Sequence, residues 1–359
     1  MTIKKIRVLL VDDSVLMLTM LKRIVNNDPR LEVVATAKDG VEALECLHKY
    51  KPDVMCTDYH MPRMDGLALT KQVMRDMPLP ILVVSISVSE DQQHNVISLL
   101  NAGALDVFSK PQGGAQLNSE QAIALCNRIY LLSKVRAIRR FVGTAAERAQ
   151  ATPPSTPSSW PSISLGNKQV VVIGGSTGGP QAFHALLSKL PAQFPLPVLC
   201  VQHISIGFTE SLVQWLNASC AIRVKIATHG EPLCPGVVYF PPDDHHLLLG
   251  PGRLYLDNQS PPVNRSRPSV DRLFDSACQH SGANAIGVLL SGMGRDGADG
   301  LSHMHAMGAF TLAQSEESCV IFGMPGEAVK LGAADMVMAP QDMAPLIVQA
   351  AKATNGALA

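Results

Sequence analysis

Apolar and polar positions follow two periods along most of the chain. Mainly apolar runs over 6–11, 31–37, 54–57, 81–84 and 106–108 read as strands. The stretches after them, over 15–25, 41–50, 67–76, 91–102 and 117–140, carry the apolar spacing of amphipathic helices. Repeated βα units predict a parallel sheet with helices on both faces. A second series begins at Val170, with strands over 170–173, 198–201, 224–228, 237–240, 247–249, 254–256, 285–290, 311–314 and 336–338. Its helices are expected over 180–189, 208–218, 269–280, 297–307 and 326–332. The short strands between 224 and 256, with turns at Pro241-Pro242-Asp243-Asp244 and Gly250-Pro251-Gly252, predict antiparallel hairpins beside a mainly parallel sheet. Between the two series, 151–162 holds four Pro, four Ser and two Thr and has no helical period, which predicts a solvated, semi-extended linker. The pattern therefore divides the chain into an α/β domain over 1–140, a linker over 141–167 and a second, doubly wound α/β domain over 168–359. The basic run Lys134, Arg136, Arg139 and Arg140 reads as a solvated helix face.

Composition narrows the picture. Apolar residues make up 47% of the 359 positions, enough for two cores. The formal net charge is zero, which argues against a protein built to hold nucleic acid. Eight scattered cysteines without a C-x-x-C pair fit reduced thiols in a cytoplasmic protein better than disulfides or a zinc site. The apolar run from Val8 to Val11 meets Asp12-Asp13 at once and is too short for a signal sequence. No run approaches the roughly 18 apolar residues of a membrane span, so no membrane insertion is expected.

In the first domain, chemistry collects at strand ends. Asp12 and Asp13 follow the first strand, Asp58 the third, Ser85 the fourth and Lys110 the fifth. The C-terminal edge of a parallel sheet is where ligands sit. Three carboxylates gathered there repel one another unless a cation joins them, and hard oxygen ligands suit Mg²⁺. The competing reading is a set of helix caps, since Asp before a helix is common. One residue of this kind at each of four strand ends favours the first reading.

The second domain repeats the arrangement. The run Val170-Val171-Val172-Ile173 stops at Gly174-Gly175-Ser176-Thr177-Gly178-Gly179-Pro180, which fits G-x-S-x-G, a strand–turn–helix elbow that presents a nucleophilic serine. A plain tight turn, or a phosphate cradle at a helix N-terminus, competes with that reading; G-x-G-x-x-G and the P-loop lysine are both absent. His203 follows the strand at 198–201, and Asp296 lies in the loop after 285–290. Parallel pairing brings Ser176, His203 and Asp296 to one edge as nucleophile, base and orienting acid. His245-His246, His303 and His305 lack H-E-x-x-H spacing and read as surface or turn residues.

These strings resemble two known families. Val8-Leu9-Leu10-Val11-Asp12-Asp13-Ser14, Asp58-Tyr59-His60-Met61-Pro62-Arg63-Met64-Asp65-Gly66, Val84-Ser85 and Lys110-Pro111 resemble a flavodoxin-like response-regulator receiver domain. Tyr59-His60 departs from the small or acidic residues expected there. Gly174 to Pro180, Val201-Gln202-His203, Asn264-Arg265-Ser266-Arg267-Pro268-Ser269-Val270-Asp271 and Ser291-Gly292-Met293-Gly294-Arg295-Asp296-Gly297-Ala298 resemble the chemotaxis protein-glutamate methylesterases, the CheB family. Receiver, linker and catalytic domain occur in that family's order across the whole chain.

The first resemblance implies that Asp58 accepts a phosphoryl group from a chemotaxis histidine kinase. It implies Mg²⁺ on Asp13, Asp58 and the His60 backbone carbonyl with Asp12 nearby, and phosphoryl contacts from Ser85 and Lys110. The second implies demethylation of glutamate γ-methyl esters, and deamidation of glutamines, on methyl-accepting chemotaxis receptors. Ser176, His203 and Asp296 would then be catalytic, with the Met293 amide as an oxyanion donor and no cofactor in that domain. The stretch from Asn264 to Asp271 receives no catalytic role and reads as the opening of the helix at 269–280. A phosphorylation-dependent adaptor whose second domain only binds receptors is the competing class, and a nucleotide-binding second domain is weaker. A DNA-binding effector is disfavoured, because no helix-turn-helix string or basic stripe is present.

Overall fold

A computed structural model describes residues 4–85, 93–111, 119–135 and 168–355, with backbone only at 93–97 and 353–355. The linker at 141–167 and the basic positions Arg136, Arg139 and Arg140 lie outside the described residues.

The first sheet is built from β1 (Ile6–Val11), β2 (Leu31–Ala37), β3 (Val54–Thr57), β4 (Ile81–Ser85) and β5 (Asp106–Ser109), in the order β2-β1-β3-β4-β5. Every pairing is parallel. The helices α1 (Val15–Asn27), α2 (Gly40–Tyr50), α3 (Gly66–Asp76), α4 (Gln93–Ala102) and α5 (Glu120–Leu132) alternate with the strands. Side-chain caps start four of them: Ser14, Asp39, Asp65 and Ser119 each accept from an amide of the first turn. The acids that cap these helices are Asp39 and Asp65, and the cap of α1 is Ser14 rather than Asp12 or Asp13. The order reverses between β1 and β3, so their carboxyl ends flank the crevice where this topology places ligands.

The second sheet has seven strands in the order β14-β13-β12-β6-β7-β9-β8. They are β6 (Val170–Gly175), β7 (Val198–Gln202), β8 (Arg223–Ile226), β9 (Val237–Phe240), β12 (Ala285–Leu289), β13 (Phe310–Gln314) and β14 (Met336–Met338). The helices are α6 (Gly179–Leu187), α7 (Thr209–Ser219), α8 (Val270–Ser281), α9 (Ala298–Ala306), α10 (Met324–Lys330) and α11 (Pro340–Asn355). β6 and β7 are buried throughout, as continuous apolar runs in a sheet covered on both faces must be. The switch point lies between β6 and β12, with β7 on the far side of β6.

Two expectations are corrected. β8 and β9 pair parallel within the main sheet; among the strands of the described residues, only β10 (His246–Leu249) and β11 (Leu254–Asp257) form an antiparallel hairpin. The connection from β8 to β9 is longer than a tight hairpin turn, and β9 is also held parallel to β7. The helix α11 was not expected. Pro340 opens it and Pro345 lies inside it, and interior proline normally argues against a helix. Its buried Met343, Ile347 and Ala351 supply the apolar stripe that decides in its favour.

The two α/β units touch. α4 lies against α6 and α7. Gln181 donates to the Ala104 carbonyl at 3.0 Å, and the Ser109 amide donates to Ser205 Oγ at 3.3 Å. Val320, in the second unit, packs against the core of the first.

Candidate functional site

Register explains how distant residues meet. Gly174 pairs with Leu289 on one side and Val201 on the other, and Gly175 pairs with Gln202. Ser176, His203 and the loop at 291–297 therefore leave the sheet at the same level. The turn after β6 needs a left-handed residue at Gly178, with φ of 78°, where any side chain would strike Val320. The Ser176 amide donates to the Ser291 carbonyl at 2.9 Å, and the His203 amide donates to the Gly175 carbonyl at 2.9 Å. Ser176 is 4% exposed.

His203 Nε2 lies 2.8 Å from Asp296 Oδ2. A carboxylate only accepts, so Nε2 carries the hydrogen and the lone pair of the neutral ring is on Nδ1. Neither Nδ1 nor the Ser176 hydroxyl makes a hydrogen bond to another of the described residues; serine–base bonds commonly tighten only when substrate is bound. The amides of Thr177 and Met293 also have no acceptor among the described residues. A Cβ at Gly292 would sit 2.7 Å from Ser176 Cβ, so the Met293 loop passes directly beside the serine.

Asp296 is buried yet charged. Burial raises its carboxyl, but His203, the Val270 amide and Ser269 together hold it well below the usual carboxylate range. Val270 N donates to Oδ2 at 2.7 Å and Ser269 Oγ to Oδ1 at 2.8 Å. Ser269 is the N-cap of α8, so the acid sits at a helix N-terminus, where negative charge is favoured. His246, read from sequence as a surface or turn residue, is fully buried. Its Nδ1 accepts from the Ser269 amide at 3.1 Å, and it buttresses this cap.

Sequence reasoning also missed Gln202. Its Nε2 donates to the carbonyls of Ser176 at 2.7 Å and His203 at 2.8 Å, tying the serine turn to the histidine segment. Arg128 of α5 reaches the same turn: Nη1 donates to Thr177 Oγ1 at 2.6 Å while also pairing with buried Asp106.

At the first sheet's edge, Asp12, Asp13 and Asp58 each place an oxygen within 4.8 Å of the others. The Lys110 ammonium lies 2.6 Å from Asp12 and is also bonded to Asp58. Burial raises the Asp12 carboxyl; burial also opposes the Lys110 charge, but its bonds to Asp12 and Asp58 outweigh that and keep it raised. Ser85 is buried at the end of β4, and its carbonyl accepts from the Lys110 amide at 2.8 Å. The His60 carbonyl has no donor among the described residues. Clustered hard oxygens, one of them exposed, are a donor set that fits a magnesium ion.

A relative from Paraburkholderia xenovorans, named protein-glutamate methylesterase/protein-glutamine glutaminase, is 43% identical over 346 residues, covering 95% of this chain and 95% of its own. One from Cupriavidus metallidurans, of the same name with the number 1, is 42% identical over 366 residues, covering 100% of this chain and 99% of its own. The chain belongs to the CheB methylesterase family. The CheB methylesterase family model matches residues 171–347 and the response regulator receiver domain model matches 8–121. Among solved structures, the chain is similar to the CheB methylesterase catalytic domain of Thermotoga maritima, at 37% identity and a TM-score of 0.49, covering 51% of this chain and 98% of that one. In this CheB family member, the string from Asn264 to Asp271 does open a helix, as expected, and four of its residues also surround Asp296.

Proposed function

We propose that the chain is a phosphorylation-activated hydrolase that demethylates glutamate γ-methyl esters and deamidates glutamines on methyl-accepting chemotaxis receptors. The observation that carries this reading is the His203–Asp296 pair at 2.8 Å, beside a buried serine at the switch point of a parallel sheet. Ser176 Oγ attacks the γ-carbonyl and passes its proton to His203 Nδ1. Asp296 keeps the hydrogen on Nε2 and offsets the charge of the imidazolium. The Met293 amide, with that of Thr177 as a second donor, receives the oxyanion; one such donor typically contributes about 3 kcal/mol of barrier lowering. The tetrahedral adduct collapses, the imidazolium protonates the departing methoxide or amine, and methanol or ammonia leaves. Water, deprotonated by Nδ1, then attacks the acyl-serine ester and releases glutamate. Ester and amide share this acyl chemistry, so one site serves both.

The receiver half supplies control. Asp58 accepts the phosphoryl group from a chemotaxis histidine kinase, and Lys110 and Ser85 contact its oxygens. Asp13, Asp58 and the His60 carbonyl would hold Mg²⁺ with Asp12 nearby, and a bound ion there offsets phosphoryl charge. In the unphosphorylated chain the receiver covers the catalytic edge. Arg128 on Thr177, Gln181 on Ala104 and Ser109 on Ser205 support that arrangement. Ser109 adjoins Lys110, so drawing Lys110 toward a phosphoryl group bears on the contact with Ser205 and shifts the equilibrium toward an open site. The substrate is the receptors' cytoplasmic region; among the described residues no helix is long and apolar enough to cross a membrane.

A serine-directed acylating reagent tests the reading. It is expected to modify Ser176, faster with a phosphodonor than without, and faster in a 168–359 fragment than in the unphosphorylated chain. Absence of label on Ser176 would favour a receptor-binding adaptor. A fragment no faster than the unphosphorylated chain would remove occlusion by the receiver.

A further inference from the structure

Asp296 is gripped by more donors than its pairing with His203 requires. Oδ2 accepts from His203 Nε2 and the Val270 amide, and Oδ1 accepts from Ser269 Oγ, from the Asp271 amide at 3.2 Å and from Asn264 Nδ2 at 3.2 Å. Three of the five donors are the capped start of α8. Asn264 lies outside that helix. Its amide also donates to Asp271 Oδ2 at 2.7 Å, so one NH₂ group forks between two buried carboxyls. The other Asp271 oxygen accepts from the Gly300 amide at 2.7 Å, which anchors that acid on α9. Asn264 and Arg265 hold left-handed backbone, with φ of 51° and 64°, a costly pairing of non-glycine residues that the surroundings must enforce.

Resting on the Ser176–His203–Asp296 reading above, we propose that Asn264 is a positioning residue of this site. Its amide, anchored on Asp271, fixes the rotation of the Asp296 carboxylate so that Oδ2 faces His203. Asn264 orders the acid that orients the base and has no contact with substrate. Its loss therefore lowers kcat and leaves KM for the receptor unchanged.

The left-handed backbone supplies a clean test, because glycine adopts it without strain. Asn264→Gly deletes the amide and keeps the loop, whereas Asn264→Asp tolerates the same backbone but puts an acceptor where the donor was. The assay is methanol release by the full chain from methylated chemoreceptor membranes with saturating phosphodonor. Asn264→Gly is expected to lower kcat about tenfold at unchanged KM, as for loss of one hydrogen bond to a charged group. Asn264→Asp is expected to fall further. Ser176→Ala, run alongside, separates the two ideas. If Ser176→Ala turns over like the parent, the triad reading fails whatever Asn264 does. If Ser176→Ala is inert while Asn264→Gly keeps the parent kcat, or changes KM alone, Asn264 serves only the loop and the proposal is overturned.

Discussion

Gly179 offers a one-methyl test of how the serine turn is held. It opens α6, where alanine would ordinarily gain at most about 1 kcal/mol over glycine. A Cβ at this position would lie 1.9 Å from Gln202 Oε1 and 2.8 Å from Cδ, far inside contact distance. The Gln202 amide would have to retreat by more than an ångström, which its bonds to the Ser176 and His203 carbonyls do not survive. Overpacking costs about 1–3 kcal/mol, and two lost hydrogen bonds add about 1 kcal/mol each. The clash wins, and Gly179→Ala should destabilise the catalytic domain by about 2–4 kcal/mol. That corresponds to a fall in melting temperature of roughly 5–15 °C. The assay is thermal or urea unfolding of Gly179→Ala, Gln202→Ala and the double variant. Truncating Gln202 makes room for the new methyl, so the double variant should be more stable than the sum of the singles by at least about 1 kcal/mol. Additive effects, or a Gly179→Ala protein as stable as the parent, would refute the idea that this amide clamps the turn.

Two further outcomes follow from the same contacts. Arg128→Ala removes the receiver's bond to Thr177, and loss of about 1 kcal/mol from the closed arrangement should raise methanol release by the unphosphorylated chain about fivefold; Asp58 phosphorylation checks the receiver fold, and an unchanged basal rate would exclude this bond from control. The Asp271 carboxyl is pushed up to about 7 by burial and by the neighbouring Asp296 charge. Its folded value thus exceeds the unfolded one, so its contribution to stability is complete below about pH 4 and is lost as pH rises through about 7. Asp271→Asn should show a smaller decline in unfolding free energy across that window, and parallel profiles for the two proteins would contradict the shift.

The strand-end chemistry was legible because the buried strands are mainly apolar and give way to polar residues at their carboxyl ends. Asp12, Asp58, Ser85, Lys110, Ser176 and His203 all announce themselves in that way, and parallel topology does the rest. What stayed hidden depends on contacts distant in sequence. Asn264 and Ser269 meet Asp296 across 32 and 27 positions, and no local period encodes that. Gln202 ends a strand buried on both faces, so alternation could not say where its amide points. β8 was expected to run antiparallel because its direction is set by its pairing with β9 rather than by its own residues. His246 resembled a turn histidine because acids precede it, yet it belongs to a buried hairpin strand. Arg128 meets Thr177 across 49 positions, which no local pattern on α5 encodes either.

The central claim is that Ser176 carries the acyl group. The most direct measurement quenches the phosphodonor-treated chain during turnover of a γ-methyl-glutamyl receptor peptide and weighs the peptide containing residue 176. The account predicts a mass increase equal to the acyl portion of the substrate, confined to Ser176 and missing from Ser176→Ala, which releases no methanol. Steady methanol release from Ser176→Ala, or an adduct on another residue, would contradict it.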